Sequence, residues 1–372
     1  MPPIKVVVGM SGGVDSAVAA ALLKEKGYQV SGVTMQIWGG EASIEEGKHH
    51  ACYGPGEAED IEDARKVAAI LDIPFHVIDL RQEYKSEVLD YYCQEYLSGR
   101  TPNPCLKCNR TVKFGALLKK TRDSGIEFDY FATGHYARVE YDGESGRHVL
   151  KKAKDLSKDQ SYFLAGLSQE QIGRSLFPLG EYTKSQVRKI AADFGLPVDD
   201  KPESQDFIAG GYRSLITAGA PGPILDKQGK TLGEHKGIPF YTIGQRKGLG
   251  ISFAEPQYVI GIDSEKNAVI VGNGEELYSD EFTASGMNWI AIEPPEQPFG
   301  YAQSKPVEVK ARIRYRHQEA GATVTPIGEG RVLVKFGKSQ PAITPGQTVV
   351  FYDGDTVLGG GTIEGTKTID DK

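Results

Sequence analysis

The fold of the first half of the chain is decided by the stretch Gly9-Met10-Ser11-Gly12-Gly13-Val14-Asp15-Ser16. It follows the apolar run Ile4-Lys5-Val6-Val7-Val8, which is typical of a buried parallel strand. It precedes residues 17–24, Ala-Val-Ala-Ala-Ala-Leu-Leu-Lys, which predict a helix. A glycine- and serine-rich turn at a helix N-terminus offers backbone N–H groups and the positive end of the helix dipole. The sequence therefore predicts a phosphate-binding turn here.

The side chains of this turn fit the same prediction. Gly12 and Gly13 have no Cβ, so an anion can approach the backbone closely. Ser11 and Ser16 add hydroxyl donors, and Asp15 is a candidate helix cap or metal ligand. A turn that binds no ligand is the plain alternative.

Length and composition narrow the class of protein. With 372 residues the chain is long enough for two or three domains. The absence of a membrane-length apolar run and of a secretory signal predicts a cytoplasmic protein. The four cysteines are too few for a secreted disulfide framework. A net charge of -7 argues against a general polyanion binder, although residues 107–122, 151–158 and 305–317 are locally basic.

Strand and helix patterns alternate through the first two hundred residues or so, and this order predicts an α/β fold with a doubly wound parallel sheet. The predicted strands are 4–8, 30–35, 75–80 and 129–133, and the predicted helices are 17–24, 58–68, 82–97 and 110–120. Beyond about residue 210, turn signals at 226–229, 263–267 and 353–355 separate short alternating runs. The second half is therefore predicted to be β-rich, with a division near 278–281.

Three further motifs follow the first in a fixed order. They are Gly99-Arg100-Thr101-Pro102-Asn103-Pro104-Cys105-Leu106-Lys107-Cys108-Asn109-Arg110, Ala132-Thr133-Gly134-His135-Tyr136-Ala137 and Lys158-Asp159-Gln160-Ser161-Tyr162-Phe163-Leu164. Together the four motifs resemble tRNA-specific 2-thiouridylases, of the ATP-pyrophosphatase (PP-loop) superfamily. The resemblance continues through residues 312–316, 344–347 and 358–361, and so spans essentially the whole chain.

This resemblance implies three domains and an activity. Residues 1–212 would form a PP-loop catalytic domain, 213–279 a small β-rich central domain, and 280–372 a C-terminal β-barrel that contacts tRNA. The activity would be ATP-dependent 2-thiolation of the wobble uridine, with Mg2+ as the companion of ATP. The partners would be tRNA and a sulfur donor, which could be a cysteine desulfurase, a relay protein or free sulfide.

The resemblance also implies roles for individual residues. The nucleotide would be contacted by Gly9, Met10, Ser11, Gly12, Gly13, Val14, Asp15, Ser16, Met35 and Gly134. The target base would be approached by Asn103, Pro104 and Cys105, and the rest of the tRNA by His135, Lys158, Asp159, Gln160, Arg314, Tyr315 and Gln347. Independently of the family's assignments, Cys108, Cys105 and Asp15 are the candidate catalytic residues.

Two of these assignments have plain alternatives. Arg312, Arg314 and Arg316 alternate with apolar and aromatic residues, which predicts a basic stripe on one face of a strand. That stripe could serve tRNA phosphates or could be an ordinary solvated face. His135 could contact tRNA or could be a structural loop residue bonded to a neighbour.

The cysteines depart from the family pattern. Many members have Asn-Pro-Asp-x-x-Cys-Asn, whereas Cys105 occupies the Asp position here, beside Cys108. Many members also have a later cysteine that receives a persulfide, and Ile208 stands at its position. The usual persulfide route is therefore in doubt. Cys93 lies in the middle of a predicted helix and is interpreted as a packing residue.

Several sulfur carriers remain open. The first hypothesis is an iron–sulfur cluster of the four-iron type on Cys52, Cys105 and Cys108, by analogy with related thiolases. The second places a persulfide on Cys108 and lets Cys105 resolve it as a disulfide. The third is structural zinc completed by His49 or His50. In the plainest interpretation, Cys52 is an ordinary loop residue.

Two other functions compete with thiolation. The chain could be another AMP-forming PP-loop ligase, for example one that amidates a small molecule. It could also be a catalytically inactive tRNA-binding homologue, because the delivering cysteine is missing. Pyrophosphate release that depends on tRNA would separate the three functions.

Overall fold

A computed structural model describes residues 2–40, 51–197, 206–208, 215–216, 219–251, 255–295 and 306–366. The zinc hypothesis for His49 and His50 falls outside the described residues. Within these ranges, no helix is both long enough and apolar enough to cross a lipid bilayer.

Helices and strands alternate in the first half, and strands dominate the second half. The helices are α1 (Val14–Glu25), α2 (Glu57–Ile70), α3 (Arg81–Tyr84), α4 (Asp90–Leu97), α5 (Pro104–Cys108), α6 (Leu117–Asp123), α7 (Ser161–Leu164), α8 (Gln169–Gly173) and α9 (Lys184–Asp193). The segments Lys85–Leu89 and Asn109–Ala116 are π-helical and connect α3 to α4 and α5 to α6.

The strands of the first half are β1 (Lys5–Gly9), β2 (Gln29–Gln36), β3 (Ala51–Tyr53), β4 (Phe75–Asp79), β5 (Tyr130–Thr133), β6 (Ala137–Asp142), β7 (Arg147–Lys152) and β8 (Ser175–Leu176). Those of the second half are β9 (Asp206–Ile208), β10 (Gly222–Leu225), β11 (Thr231–His235), β12 (Tyr258–Asp263), β13 (Ala268–Gly272), β14 (Tyr278–Trp289), β15 (Val307–Arg312), β16 (Ala320–Gly328), β17 (Arg331–Pro341), β18 (Thr348–Asp353) and β19 (Thr356–Gly365).

A parallel sheet organises the first half, with strand order β4-β2-β1-β5-β8. Each adjacent pair in it is parallel. The chain winds outward in one direction through β2 and β4 and in the other through β5 and β8, so the order reverses beside β1. Ligands of such sheets bind beyond the carboxyl ends of the strands at this reversal. The predicted α/β fold is confirmed, and the turn after β1 lies at the expected place.

Helix α1 packs closely on this sheet because its side chains are small. Residues 16–23 are all buried, and most of them are alanine or valine. They share one core with Val6 and Val8 of β1, which are at most 1% exposed. Complete burial of a valine side chain contributes about 1.5–3 kcal/mol, so this core fixes where β1 ends and α1 begins.

The second half contains two sheets. Strands β10 to β13 form one in the order β11-β10-β13-β12. Strands β14 to β19 form the other, in the order β14-β17-β16-β15-β18-β19, and β14 also pairs with β19, which closes a six-stranded barrel. The predicted turns at 226–229 and 263–267 connect the antiparallel pairs β10–β11 and β12–β13. The prediction of a β-rich part followed by a C-terminal barrel is confirmed.

The chain divides into two compact units. The first comprises residues 1–89, 104–214 and 355–357, and the second comprises 90–103, 215–354 and 358–372. Helix α4 and the segment that follows it, up to Asn103, therefore fold with the second unit although they lie within the N-terminal half of the chain. In the first unit, Thr356 and Val357 pair with β7 of the β6–β7 hairpin.

The turn between β1 and α1 contains two glycines, and only one of them is required by the fold. Gly12 has φ +73°, and a Cβ there would lie 2.4 Å from the carbonyl oxygen of Asp60 in α2. Gly13 is the N-cap of α1 with φ -96°, an ordinary extended conformation. A Cβ on Gly13 would meet only Ser11 Oγ, at 3.7 Å. The fold therefore requires glycine at Gly12 but leaves open space at Gly13.

Replacing Gly12 by alanine should destabilise the protein by about 1–3 kcal/mol, because the new methyl group is strained in φ and clashes with α2. Gly13→Ala is the matched control, and it should cost only the N-cap preference of glycine over alanine, about 0.5 kcal/mol. Urea unfolding monitored by circular dichroism measures both. Equal destabilisation by the two substitutions would contradict this account of the turn.

Candidate active site

The β1–α1 turn (residues 10–13) is held by a small hydrogen-bond network. The backbone N–H of Ser11 donates to Ser16 Oγ (3.1 Å), and Ser16 Oγ–H donates to the carbonyl of Gly13 (3.1 Å). Met10 is 2% exposed and its backbone N–H donates to Val33 (2.8 Å), so its side chain belongs to the core. Among the predicted nucleotide contacts, Met10 can therefore take part only through its backbone.

Gly134, a predicted nucleotide contact, lies against the first turn of α1. It follows β5, the strand beside β1, and a Cβ on it would lie 2.6 Å from the carbonyl carbon of Asp15 and 2.7 Å from the nitrogen of Ser16. Only glycine can approach that backbone so closely. Met35, the other distant residue of the predicted set, lies near the end of β2 and is partly buried.

Asp15 neither caps α1 nor has a free carboxylate. Lys184 Nζ donates to both carboxylate oxygens (2.8 and 2.9 Å), and the hydroxyl of Tyr136 donates to Oδ1 (2.8 Å). Lys184 is the first residue of α9, is buried, and has its Nζ 5.8 Å from the centre of the Tyr136 ring. A carboxylate engaged in this way has little capacity left for a metal ion.

No sequence pattern identified Lys184 as part of the site. It follows the capping residue Thr183, whose hydroxyl oxygen accepts from the backbone of Gln186. That pattern predicts a helix start but gives no sign of a partner 169 residues away. Tyr136 lies within a recognised motif, and only the fold shows that its hydroxyl contacts Asp15.

Three cysteines are brought into one neighbourhood of the first unit. Cys108 is buried at the end of α5, Cys105 is partly buried one turn earlier, and Cys52 is exposed on β3. Cys52 interacts electrostatically with both of the others. Strand β3 pairs with β9, and Tyr53 lies opposite the buried Ile208. Ile208, at the position where the resemblance implies a second cysteine, is therefore next to the strand that carries Cys52.

The structure does not support the iron–sulfur hypothesis. Within the described part of the chain, no three His, Cys, Asp or Glu side chains are arranged to hold a metal ion. The three thiols share a neighbourhood without converging as ligands, and they differ from exposed to buried. The residues present therefore do not fit a cluster in this conformation.

Burial keeps the two thiols of α5 protonated at neutral pH. It raises the pKa of Cys105 to about 12 and that of Cys108 to about 11, while the positive charge of Lys113 opposes both shifts. Burial lowers the pKa of Lys113, but its three cysteine neighbours raise it more, so the net shift is upward. The described residues provide Lys113 with no hydrogen-bonded carboxylate.

The π-helical segment explains why Lys113 lies close enough to Cys108 to interact with it electrostatically. Lys113 is five residues beyond Cys108, and five residues in a regular α-helix would place the two on different faces. Hydrogen bonds in a π-helix run from i to i+5, as from Leu117 N–H to Val112 here, so residues five apart lie on the same side. Residues 107–122 are basic, but their sequence alone does not predict that this one lysine lies near the cysteines.

His135 is bonded to a neighbour and surrounded by rings. Its Nδ1 lies 2.7 Å from Thr133 Oγ1, and the Phe114 and Phe177 rings are 6.2 and 6.1 Å away. Burial, with a smaller contribution from Lys113, lowers the pKa of His135 to about 3. The imidazole is therefore neutral at physiological pH and has no cationic charge to offer a phosphate.

Of residues 158–160, Asp159 and Gln160 form hydrogen bonds within the protein that hold the local structure. The buried carboxylate of Asp159 accepts from the backbone of Ala153 (3.1 Å) and from Ser161 N (3.2 Å) and Oγ (2.9 Å). Gln160 Oε1 accepts from the backbone of Tyr136 (2.9 Å). Lys158 is partly buried. Contacts of these residues with tRNA stay predictions.

In the second unit, the predicted arginine stripe is wrong as a strand feature. Strand β15 ends at Arg312, and a turn follows in which the backbone N–H of His317 donates to Arg314 (3.0 Å). Arg312 Nε donates to the His317 carbonyl (3.1 Å), and its guanidinium lies 5.4 Å from the centre of the Tyr315 ring. The local turn overrides the alternating pattern, so Arg314 and Arg316 do not continue one strand face.

Three family models match the chain in succession. They are described as the tRNA methyl transferase HUP domain, at residues 4–209, the tRNA methyl transferase PRC-barrel domain, at 213–273, and the Aminomethyltransferase beta-barrel domain, at 279–363.

Curated relatives match over nearly their whole length. The chain is 50% identical over 371 residues to the tRNA-specific 2-thiouridylase MnmA of Moorella thermoacetica, covering 98% of this chain and 100% of that protein. It is 50% identical to tRNA-specific 2-thiouridylase MnmA 2 of Caldanaerobacter subterraneus, covering 97% and 98%. It is 48% identical to the Pelotomaculum thermopropionicum protein of the same name, covering 98% and 99%.

These matches include the β1–α1 turn, the helix α5 that carries Cys105 and Cys108, and the C-terminal barrel. The chain therefore belongs to the tRNA-specific 2-thiouridylases, a family of sulfurtransferase enzymes within the PP-loop superfamily.

Proposed function

We propose that this chain replaces the 2-oxygen of the wobble uridine of tRNA with sulfur, at the expense of ATP. The observation that carries the proposal is its near-complete match to relatives named tRNA-specific 2-thiouridylase. The β1–α1 turn at the reversal of the parallel sheet supports the use of ATP. The buried cysteine pair on α5 supports sulfur chemistry.

ATP binding and tRNA contact would then belong to different predicted domains. Residues 1–212 would hold ATP with Gly9 to Ser16, Met35 and Gly134, and 213–279 would form the central domain. Residues 280–372 would contact tRNA through Arg314 and Tyr315. Because Asp15 is engaged by Lys184, Mg2+ would enter with the phosphates of ATP rather than occupy a preformed protein site. A cytoplasmic location stays a prediction.

Activation would come first. The uridine 2-oxygen attacks the α-phosphorus of ATP, the N3 proton leaves, and pyrophosphate departs. The N–H groups of the β1–α1 turn and the N-terminus of α1 would stabilise the departing anion. The 2-oxygen, a poor leaving group by itself, becomes part of AMP, so one difficult substitution is divided into two easier ones.

Sulfur transfer would use Cys108 and Cys105. A persulfide on Cys108 attacks C2 and expels AMP, which leaves the base joined to Cys108 through two sulfur atoms. The thiol of Cys105 then attacks the Cys108 sulfur, forms a Cys105–Cys108 disulfide and releases 2-thiouridine, with the Cys105 proton passing to N3. Residues three apart on a helix are neighbours on one face, as this step requires. Lys113 would favour the sulfur anions.

The disulfide leaves two routes to the next turnover. A dithiol can reduce it, after which a cysteine desulfurase or a relay protein supplies a sulfane sulfur to Cys108. Alternatively, free sulfide can attack the Cys108 sulfur directly, which forms the persulfide and frees Cys105 without any external reductant. Both routes explain how the chain could work with Ile208 at the usual receiving position.

Alkylation should report the burial of these thiols. At neutral pH iodoacetamide should modify the exposed Cys52 first, because a pKa raised from 9.0 to about 11 lowers the thiolate fraction of Cys108 about a hundredfold. The rates for Cys105 and Cys108 should rise as the pH approaches 11, and Lys113→Met should lower them further. Peptide mass spectrometry measures each site, with urea-unfolded protein as the control. Equal rates for Cys52 and Cys108 in the folded protein at neutral pH would contradict the pKa assignment.

Serine variants should separate activation from sulfur transfer. Cys108→Ser should abolish 2-thiouridine formation but keep pyrophosphate release that depends on tRNA, because adenylation needs no cysteine. Cys52→Ser should stay within about twofold of the wild type if protein sulfur is the carrier. The control is Cys93→Ser, since Cys93 is a partly buried residue whose Sγ lies 3.7 Å from the carbonyl of Leu215.

The competing functions give other results in the same assay. Pyrophosphate release without any need for tRNA would indicate a different ligase, and no release at all would indicate an inactive homologue. Loss of thiolation in a folded Cys52→Ser protein would overturn the two-cysteine route in favour of a cluster.

A further inference from the structure

The segment that leads from α4 to the cysteine helix has unusual backbone needs. It runs from Arg100 to Asn103, and Pro102 and the following Pro104 have no N–H to donate. The segment therefore cannot pair as an ordinary strand, and its carbonyl groups require donors from elsewhere. Asn103 at its end is the first residue predicted to approach the target base.

Those donors come from one turn of the barrel, residues 344–347. Gln347 Nε2 donates to the carbonyls of Thr101 (2.9 Å) and Pro102 (3.2 Å). In return, the backbone N–H of Thr101 donates to the carbonyl of Pro345 (2.9 Å). Gly346 has φ +87°, and a Cβ there would lie 2.9 Å from the nitrogen of Thr101. The two backbones are thus in direct contact.

The arginine at the start of the segment adds a second attachment. Arg100 Nε donates to Glu95 (2.8 Å) and its NH1 to Glu364 of β19 (2.7 Å), and Glu364 also accepts from Ser285. The Arg100 side chain is only 23% exposed, so these pairs are less screened by solvent than surface pairs are. All of these residues belong to the second unit.

The side-chain amide of Gln347 is committed by this arrangement. A glutamine amide has two N–H groups, and both are directed at carbonyls of the segment. No amide donor is left for a phosphate or a base. The prediction that Gln347 contacts tRNA therefore competes with a different role.

We propose that Gln347 is a positioning residue, which fixes the Thr101–Pro102 backbone from the barrel and so sets the place of Asn103 for the target base. This inference rests on the proposed function, because Asn103 matters only if this chain modifies a base. The barrel then acts on the reaction through its contact with this segment, beyond any contact with tRNA.

The test is Gln347→Glu, which keeps the shape of the side chain but replaces both donors by an acceptor facing two carbonyls. Three quantities are measured: the exchange rate of the Thr101 amide hydrogen without tRNA, the Kd for tRNA, and kcat for thiolation. Thr101 exchange should become at least tenfold faster, kcat should fall between about tenfold and about a hundredfold, and the Kd should stay within about twofold. Gln347→Met, which removes the donors without adding charge, replaces this variant if it fails to fold.

The chain offers a closely matched control. Asn267 Nδ2 also donates to two consecutive carbonyls, Ala220 and Pro221 (3.0 Å each), elsewhere in the second unit. Asn267→Asp makes the same chemical change and should lower Tm comparably, without altering Thr101 exchange or kcat.

Other outcomes overturn the proposal. A weaker Kd for tRNA with unchanged kcat and unchanged Thr101 exchange would make Gln347 a tRNA contact. A loss of Tm alone, equal to that of Asn267→Asp, would make it merely structural. If the wild type itself does not thiolate tRNA, the proposed function fails, while the exchange measurement still decides whether Gln347 fixes the segment.

Discussion

The candidate site depends on two close backbone contacts around the β1–α1 turn, at Gly12 and at Gly134, where a methyl group would not fit. Gly12 lies against the backbone of α2, and Gly134 lies against the backbone of Asp15 and Ser16. The turn is thus enclosed between α2 and the end of β5. Its backbone is fixed before any ligand arrives, and the proposed anion site would use this preorganisation.

An ion pair between Asp15 and Lys184 links the start of α1 to α9, which lies far along the chain in the first unit. Lys184 of α9 and Tyr136 both hold the carboxylate of Asp15, so the turn is attached to elements far along the chain. Asp15 thereby acts as an anchor, and its charge is compensated by protein. The Mg2+ of the proposed reaction would therefore be coordinated largely by the phosphates that it accompanies.

The protonation state of Cys105 and Cys108 depends on a balance between burial and one cation. Burial keeps Cys105 and Cys108 as neutral thiols, and Lys113 moderates that effect from the adjoining π-helical segment. A persulfide is a stronger acid than a thiol, so the same surroundings would favour the anion of a persulfide over that of the resting cysteine. Cys105 and Cys108 would then be unreactive as free thiols, and Cys108 would become reactive once it carries a persulfide.

The sequence predicted what local pattern controls. The strands of the parallel sheet, α1 and the hairpin turns at 226–229 and 263–267 follow from apolar periodicity and turn residues. Contacts between distant residues had no such signal, as for Lys184 with Asp15 and Gln347 with Thr101.

Patterns also misled where local geometry intervened. A turn closed by Arg314 and His317 ended the supposed arginine strand. A π-helical segment placed Lys113 beside Cys108, contrary to α-helical spacing. The hypothesis that groups Cys52, Cys105 and Cys108 came from analogy with related thiolases, and only the fold shows that the three share a neighbourhood without an arrangement, in the described residues, that could hold a metal ion.

A single turnover would show whether protein sulfur on Cys108 is transferred and whether Cys105 resolves the intermediate, as proposed. The enzyme is first charged with sulfur, then mixed with ATP and tRNA, quenched in acid and digested. Peptide mass spectrometry then counts the Cys105–Cys108 disulfide against the 2-thiouridine formed. One disulfide should form for each modified base. Formation of 2-thiouridine while both cysteines remain free thiols would contradict the proposed route.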